Sequence, residues 1–262
     1  KSAFVGCEIK GKTLGVVGLG AIGAMVANVA IKLGMNVLGY DPFISIDGAW
    51  NLDHHVIKET DINEIFKKSD FITLHVPLND STRSLVNKDT LALMKDGSAI
   101  LNFARGELVD AAAVIDALES EKLSRYVTDF PTDEMLGVKN LIAIPHLGAS
   151  TPEAEDNCAV MVARQMIDFI ENGNITNSVN MPACKMPRQG KSRITVFHKN
   201  VKNVLSAITA VIGEEGINIA NLMSQAKGEH AYLILDLDEN LSDAALDKIK
   251  GMDSVVKVRT IA

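Results

Sequence analysis

With 262 residues, 47% of them hydrophobic and 23% charged, the chain can bury one large core or two small ones. Its formal net charge of -7 argues against a nucleic-acid partner, and no apolar run approaches the roughly 20 residues that span a bilayer. Cys7, Cys158 and Cys184 are widely spaced and form neither a disulfide framework nor a zinc pattern, and no secretory leader is visible, so a cytoplasmic protein is expected.

From residue 12 to about 146, short apolar runs alternate with helical patterns. The runs are "TLGVVGL", "NVLGYD", "FITLHV", "SAILNFA", "RYVTDF" and "LIAIPH", each hydrophobic enough for a strand buried on both faces. Between them lie amphipathic stretches such as "AIGAMVANVAIKLG" and "VDAAAVIDALESEK". This alternation predicts an α/β domain, a Rossmann-like doubly wound parallel sheet over 1–147. A long helix is predicted over about 152–172, with Thr151 as its cap and Pro152 in its first turn. Residues 181–192 then read as a linker: "NMPACKMPRQGKSR" is proline-, glycine- and cation-rich, and Lys185, Arg188, Lys191 and Arg193 read as a solvated hinge. The last segment, 193–262, predicts strand, helix, two strands, helix and strand, a small α+β ferredoxin-like βαββαβ unit.

Gly18, Gly20 and Gly23 form G-x-G-x-x-G, with Ala21 and Ile22 between the last two glycines. The motif follows a strand and opens a helix, and Asp41 ends the next strand, a context that marks a dinucleotide site. Gly18 allows the tight turn, Gly20 lets a pyrophosphate approach, and Gly23 lets helix and strand pack closely. The helix start offers free N–H groups to the phosphates. A carboxylate at Asp41 suits ribose hydroxyls and repels a 2′-phosphate, so NAD is the expected cofactor.

Arg105 and His146 each follow a predicted strand, and the acid pair Asp133/Glu134 lies between them. Oxidising a hydroxy acid needs a base for the hydroxyl proton and a cation for the carboxylate. Histidine titrates in the useful range, a carboxylate can hold its ring, and arginine grips a carboxylate at two points.

The stretches "GKTLGVVGLGAIGAMVANVAIKLGMNVLGYDP", "FITLHVPLNDSTRSLVN", "ILNFARGELVD" and "IPHLGASTPEAEDN" resemble the D-isomer-specific 2-hydroxyacid dehydrogenases. The resemblance implies that Arg105 binds the substrate carboxylate, that His146 is the acid/base and that Asp129 hydrogen-bonds the nicotinamide amide. Val76, Pro77, Phe103, Ala104, Gly148 and Ala149 would line the cofactor. The family usually has D-V-F-x-x-E-P before its histidine. Counting without gaps from Arg105 favours Glu134 as the partner of His146, whereas aligning on "FPT" gives Asp133. The implied reaction is oxidation of 3-phospho-D-glycerate to 3-phosphohydroxypyruvate, the first step of L-serine synthesis; another D-2-hydroxy acid is the alternative.

Within that resemblance, residues 148–180 are the return segment of a substrate domain. Only twelve residues precede Thr13, and the chain begins with Lys1, so a fragment lacking the other half of that domain is expected, one that binds NAD and effector without catalysis. Its long helix would leave apolar surface exposed or covered by another subunit. The last segment resembles an ACT regulatory domain, which implies a homodimer or homotetramer with L-serine at His198, Asn200 and Asn218. It departs from that pattern at Val201-Lys202-Asn203, where Pro-Gly is common. Asp53-His54-His55 reads as a polar surface loop, because adjacent histidines diverge on regular backbone and no third zinc ligand is spaced for them; no metal is expected.

Overall fold

The computed structural model describes residues 6–261, so the first five residues of the expected 1–147 domain lie outside it. The chain divides into two compact units, Lys1–Gly148 and Ala149–Ala262.

The first unit is a sheet of seven parallel strands: β1 (Thr13–Val17), β2 (Asn36–Tyr40), β3 (Ile57–Lys58), β4 (Phe71–Leu74), β5 (Ser98–Asn102), β6 (Leu123–Thr128) and β7 (Leu141–Ala143). Their order is β3-β2-β1-β4-β5-β6-β7, so the winding reverses between β1 and β4. Five helices connect them: α1 (Ala21–Lys32), α2 (Ile46–Trp50), α3 (Ile62–Lys68), α4 (Lys88–Leu93) and α5 (Ala111–Glu119). The fold is Rossmann-like, with cores on both faces of the sheet. Leu14, Val16 and Val37 pack with Ala27 and Ala30 of α1; Ile72, Leu74, Ile100 and Leu123 pack with Ile65, Phe66, Val114 and Leu118 of α3 and α5. All six apolar runs contain strands. The two-residue β3 was not foreseen, being too short to carry a periodicity.

In the second unit, α6 (Pro152–Asn172) starts where expected. Thr151 Oγ1 accepts from Ala154 N at 3.2 Å, Pro152 occupies the first turn, and Gly173 ends the helix at φ +72°. None of its residues is buried; Val160, Met161, Val162, Met166, Ile167 and Ile170 are among those exposed, as expected for this helix. The rest is β8 (Ser192–Lys199), α7 (Val204–Glu214), β9 (Ile219–Lys227), β10 (His230–Leu237), α8 (Asp243–Lys250) and β11 (Val255–Ile261), with the antiparallel order β11-β8-β10-β9. Ile194, Val196, Leu233 and Leu235 pack against Ile208, Ile212 and Ile249 on one face.

The expected solvated hinge is corrected in part: Lys185, Arg188 and Lys191 are exposed, but the segment that carries them is packed. Residues 175–186 lie on the other face of the small sheet, where Ile175 pairs with Cys184 and both pack with Met186, Tyr232 and Ile234. Arg193 is wholly buried. Its Nε and Nη2 donate to Asp236 Oδ1 and Oδ2 at 2.6 and 2.8 Å, and its Nη1 to Asn172 O at 2.8 Å. Tyr232 donates its hydroxyl to Gly173 O at 2.9 Å, so the end of α6 is bound to the same sheet face. A run that looks hydrophilic in sequence is thus held by one desolvated ion pair and alternating apolar contacts.

Burial raises the Asp236 carboxyl, but its bonds to Arg193 and to Gln189 N–H more than offset this and hold it below the ordinary carboxylate range. A lowered folded-state pKa means stability that is present at neutral pH and lost as pH falls through that value, below about 4. Arg193→Met is therefore expected to destabilise the chain by about 3–5 kcal/mol at pH 7, because it strands a buried carboxylate. Unfolding in urea should show this penalty narrowing on acidification and largely disappearing in Arg193→Met/Asp236→Leu.

Candidate functional site

Parallel strands end at one edge, and most of the expected site residues of the first unit lie just past those ends: Gly18 after β1, Asp41 after β2, Val76 and Pro77 after β4, Phe103 to Arg105 after β5, Asp129 after β6 and His146 after β7. Gly148 closes the first unit, and Ala149 opens the second in a left-handed conformation at φ +61°.

The glycine loop is shaped by backbone approach. Gly18 sits at φ +93°, and a Cβ there would lie 2.5 Å from His75 O. A Cβ on Gly23 would drive into Gly18 O. Around Gly20 nothing lies within 4 Å of such a Cβ, so that position is free of the protein. Gly20 caps α1 with no side-chain hydrogen bond, and Ala21 and Ile22 open the helix with no acid in its first turn. The initial N–H groups are left for an anion. Asp41 stands beside them, its Oδ2 accepting from Leu19 N at 2.9 Å and its Oδ1 from Phe43 N at 2.8 Å. A carboxylate has lone pairs beyond these two bonds, so Asp41 keeps capacity for ribose hydroxyls. Asp41 also borders a cavity of about 710 Å³ lined by Leu19, Ile46, Trp50 and His54. Burial pushes the His75 imidazole below its ordinary value, so the ring behind the loop is neutral at pH 7.

At the other end of the edge, His146 Nδ1 lies 2.8 Å from Asp129 Oδ2. The imidazole is half exposed and the carboxylate 8% exposed, and Asp129 Oδ1 is buried without a partner. Glu134 and Asp133 do not reach the ring. Both are exposed on the 3-10 turn Asp133–Met135, whose orientation is set by burial of Met135 in the core. Among the described residues, the carboxylate that holds His146 is Asp129, which was expected to serve the nicotinamide instead. Phe130 was missed in the sequence. Its ring packs 4.5 Å from that of His146, and a Cβ on Gly106 would meet its Cβ at 3.4 Å, so it joins the imidazole to the Arg105 loop. Arg105 is exposed, with Nη1 donating to Ala104 O at 2.6 Å.

His54 and His55 require a second correction. They do not diverge: their rings lie 3.9 Å apart, and their Nδ1 atoms approach Asp53 Oδ1 at 3.7 and 2.8 Å. The backbone there is a turn closed by Val56 N to Asp53 O at 3.0 Å, so the argument from regular backbone does not apply. His198, Asn200 and Asn218 belong to the second unit. His198 is buried, with Nδ1 on Lys199 O at 2.8 Å and Nε2 unpartnered. Asn200 donates to Gly228 O at 3.3 Å and Asn218 to Asp238 Oδ2 at 2.8 Å. Those contacts lie at opposite ends of β9 and β10, so one chain does not bring the three side chains together.

Residues 1–148 match the family model described as "D-isomer specific 2-hydroxyacid dehydrogenase, NAD binding domain". D-3-phosphoglycerate dehydrogenase of Escherichia coli K12 is 32% identical over 269 residues, covering 97% of this chain and 64% of that protein. The chain therefore spans just under two thirds of that relative's length. Among solved structures, NAD+-bound 3-phosphoglycerate dehydrogenase of Entamoeba histolytica superposes with a TM-score of 0.57 at 30% identity, covering 67% of this chain and 57% of the other. D-lactate dehydrogenase of Lactobacillus jensenii with NAD+ gives 0.56 at 29% identity, covering 64% and 56%. The cofactor of the first unit is NAD, and the glycine cradle, the uncapped helix start and the acid at Asp41 fit it.

Two glycine substitutions separate fold from ligand. Gly20→Ala should leave the thermal midpoint within about 2 °C, since its Cβ meets no protein atom, yet weaken NAD binding at least tenfold in calorimetry. Gly23→Ala should lower both, because its Cβ collides with backbone.

Proposed function

Because this chain belongs to the D-isomer specific 2-hydroxyacid dehydrogenase family, we propose that its protein carries out the cytoplasmic, NAD-dependent oxidation of 3-phospho-D-glycerate to 3-phosphohydroxypyruvate, in the pathway to L-serine. The observation that carries the chemistry is the His146–Asp129 pair at 2.8 Å, beside the Arg105 loop and on the same sheet edge as the glycine loop. The substrate choice is supported by the similarity to D-3-phosphoglycerate dehydrogenases along nearly the whole chain.

NAD, when bound, supplies the hydride acceptor. The residues of this chain do the rest. Arg105 grips the substrate carboxylate and so fixes the face on which C2 is presented. His146 takes the hydroxyl proton on Nε2 as the carbonyl forms, while Asp129 Oδ2 holds Nδ1–H, fixes the tautomer and stabilises the resulting imidazolium. Asp129 thus takes the role that the sequence pattern gave to Glu134 or Asp133. Its second oxygen, buried and unpartnered, is available to the nicotinamide amide, so one carboxylate serves base and cofactor.

The second unit is read as an ACT-type regulatory domain. Asn203 stands where that pattern has glycine and adopts φ +69°, a conformation asparagine tolerates, so the turn after Asn200 is preserved. β9, an edge strand, has nine residues, about 30 Å of chain between the Asn218 and Asn200 ends. Antiparallel pairing of β9 with the β9 of a second copy would bring Asn218 of each copy to the His198–Asn200 end of the other. Serine would bind there, between subunits of a dimer or tetramer.

The full-length protein with 3-phospho-D-glycerate should produce NADH, and faster than with unphosphorylated D-2-hydroxy acids; equal or absent turnover would remove the substrate assignment. His146→Ala should abolish turnover while sparing NAD affinity. Asp129→Asn should lower kcat by about 10²–10⁴, whereas Glu134→Gln should stay within a few-fold. The reverse ranking would return the partner role to Glu134.

A further inference from the structure

Beneath the Arg105 loop lies a set of polar side chains that the chemistry above does not use. Asn102, Tyr126 and Thr128 are 0%, 1% and 0% exposed, at the carboxyl ends of the neighbouring strands β5 and β6. In register, Ile100 faces Tyr126 and Asn102 faces Thr128. The surrounding core is apolar, so a hydrocarbon side chain would be the less demanding choice at each position.

Asn102 binds the arginine loop at two points. Its Nδ2 donates to Arg105 O at 2.8 Å, and its Oδ1 accepts from Ala104 N at 3.2 Å. The same Nδ2 donates to the Tyr126 hydroxyl at 3.3 Å. That hydroxyl is hydrogen-bonded in turn to Thr128, and burial pushes its phenol above the ordinary tyrosine range, so it is neutral throughout the working pH range. Thr128 reaches both parts of the imidazole arm. Its Oγ1 accepts from Phe130 N at 3.0 Å, fixing the turn that carries Asp129 and the ring packed on His146. Its carbonyl accepts from Ile144 N at 3.0 Å, two residues before His146.

We propose that Asn102, Tyr126 and Thr128 form a buried hydrogen-bonded bridge that positions Arg105 relative to the Asp129–His146 pair and thereby sets the affinity for the substrate carboxylate. These are positioning residues. The inference rests on the dehydrogenase reading for what is recognised, but the bridge itself is a property of this chain. Arg105 and His146 lie on different loops, after β5 and β7, and a carboxylate and a hydroxyl on adjacent carbons must meet both at once. A shared buried anchor holds the two loops in step, where two independent loops would each spread over several positions.

The bridge is tested by Asn102→Asp, which keeps shape but cannot donate to Arg105 O, and by Tyr126→Phe, which removes only the hydroxyl. The first readout is trypsin cleavage of this chain at Arg105–Gly106, which requires the loop to open. Asn102→Asp should accelerate that cut about tenfold and Tyr126→Phe about threefold, with cuts at Lys10, Lys32 and Lys250 unchanged. The second readout is steady-state kinetics of the full-length protein: KM for the hydroxy acid should rise by similar factors, while kcat, its pH profile and NAD affinity stay near wild type. If Asn102→Asp fails to fold, Tyr126→Phe decides alone. Unchanged cleavage at Arg105 overturns the bridge; so does faster cleavage at every site, or a loss of kcat without a rise in KM, since those indicate a general structural role. If the wild-type protein oxidises no 2-hydroxy acid, the functional reading fails, and the trypsin rates still decide the bridge.

Discussion

A parallel sheet sends the carboxyl ends of all its strands to one edge, and the rest of this structure depends on that constraint. Residues 23 to 128 positions apart in sequence, from Gly18 through Asp41, Val76 and Arg105 to His146, reach one surface because each lies within three residues of the end of a strand. The reversal of strand order between β1 and β4 leaves room there, because the connections on either side run to opposite faces of the sheet. Gly18 and His75, at the ends of these two strands, come so close that only glycine fits at position 18. The loop that faces the cofactor is therefore a consequence of how two central strands end.

Strand and helix periodicity made the first unit legible. Near-continuous apolar runs can be buried only between two layers, and each such run is a strand. The glycine loop was legible for a related reason: its residues are dictated by steric approach, which acts locally. What could not be read was whatever depends on side-chain direction beyond the end of a strand. Asp129, Asp133 and Glu134 all stand within a few residues of one another, and spacing alone cannot say which faces His146. The choice is made by Met135, whose burial turns its two acidic neighbours outward. The asparagine of "LNFAR" carried a signal that could have been used: a polar residue closing a hydrophobic strand needs partners, and the adjacent loop is the nearest source.

The two units resolve buried polarity differently. In the first, the deeply buried polar side chains Asn102 and Thr128 are neutral and serve as anchors near the site. In the second, the sheet buries a full ion pair, Arg193–Asp236, and closes it with a backbone carbonyl and an amide. A pair of this kind adds little net stability over well-packed apolar side chains, but it is intolerant of a missing partner. Both charges are satisfied together by Asn172 at the end of α6, Gln189 in the connecting segment and the pairing of strands β8 and β10. The composition of the connecting segment suggested mobility because a count of cations says nothing about where their partners lie.

The use of Asp129 instead of a glutamate further along follows from the same economy of position. A side chain that leaves the backbone one residue after a strand inherits the rigidity of the strand, whereas Glu134 would have to reach from an exposed turn and lose more rotamer freedom on pairing. The shorter carboxylate is also the more buried one, so it interacts with the imidazole at lower local dielectric and is less screened by salt. A buried anion with one oxygen committed and the other unpartnered is poorly solvated, and it gains most from a donor that arrives with the cofactor. On the reading proposed here, cofactor binding and activation of the base are then coupled through two oxygens of one group: the amide that satisfies Oδ1 also immobilises the carboxylate that orients His146.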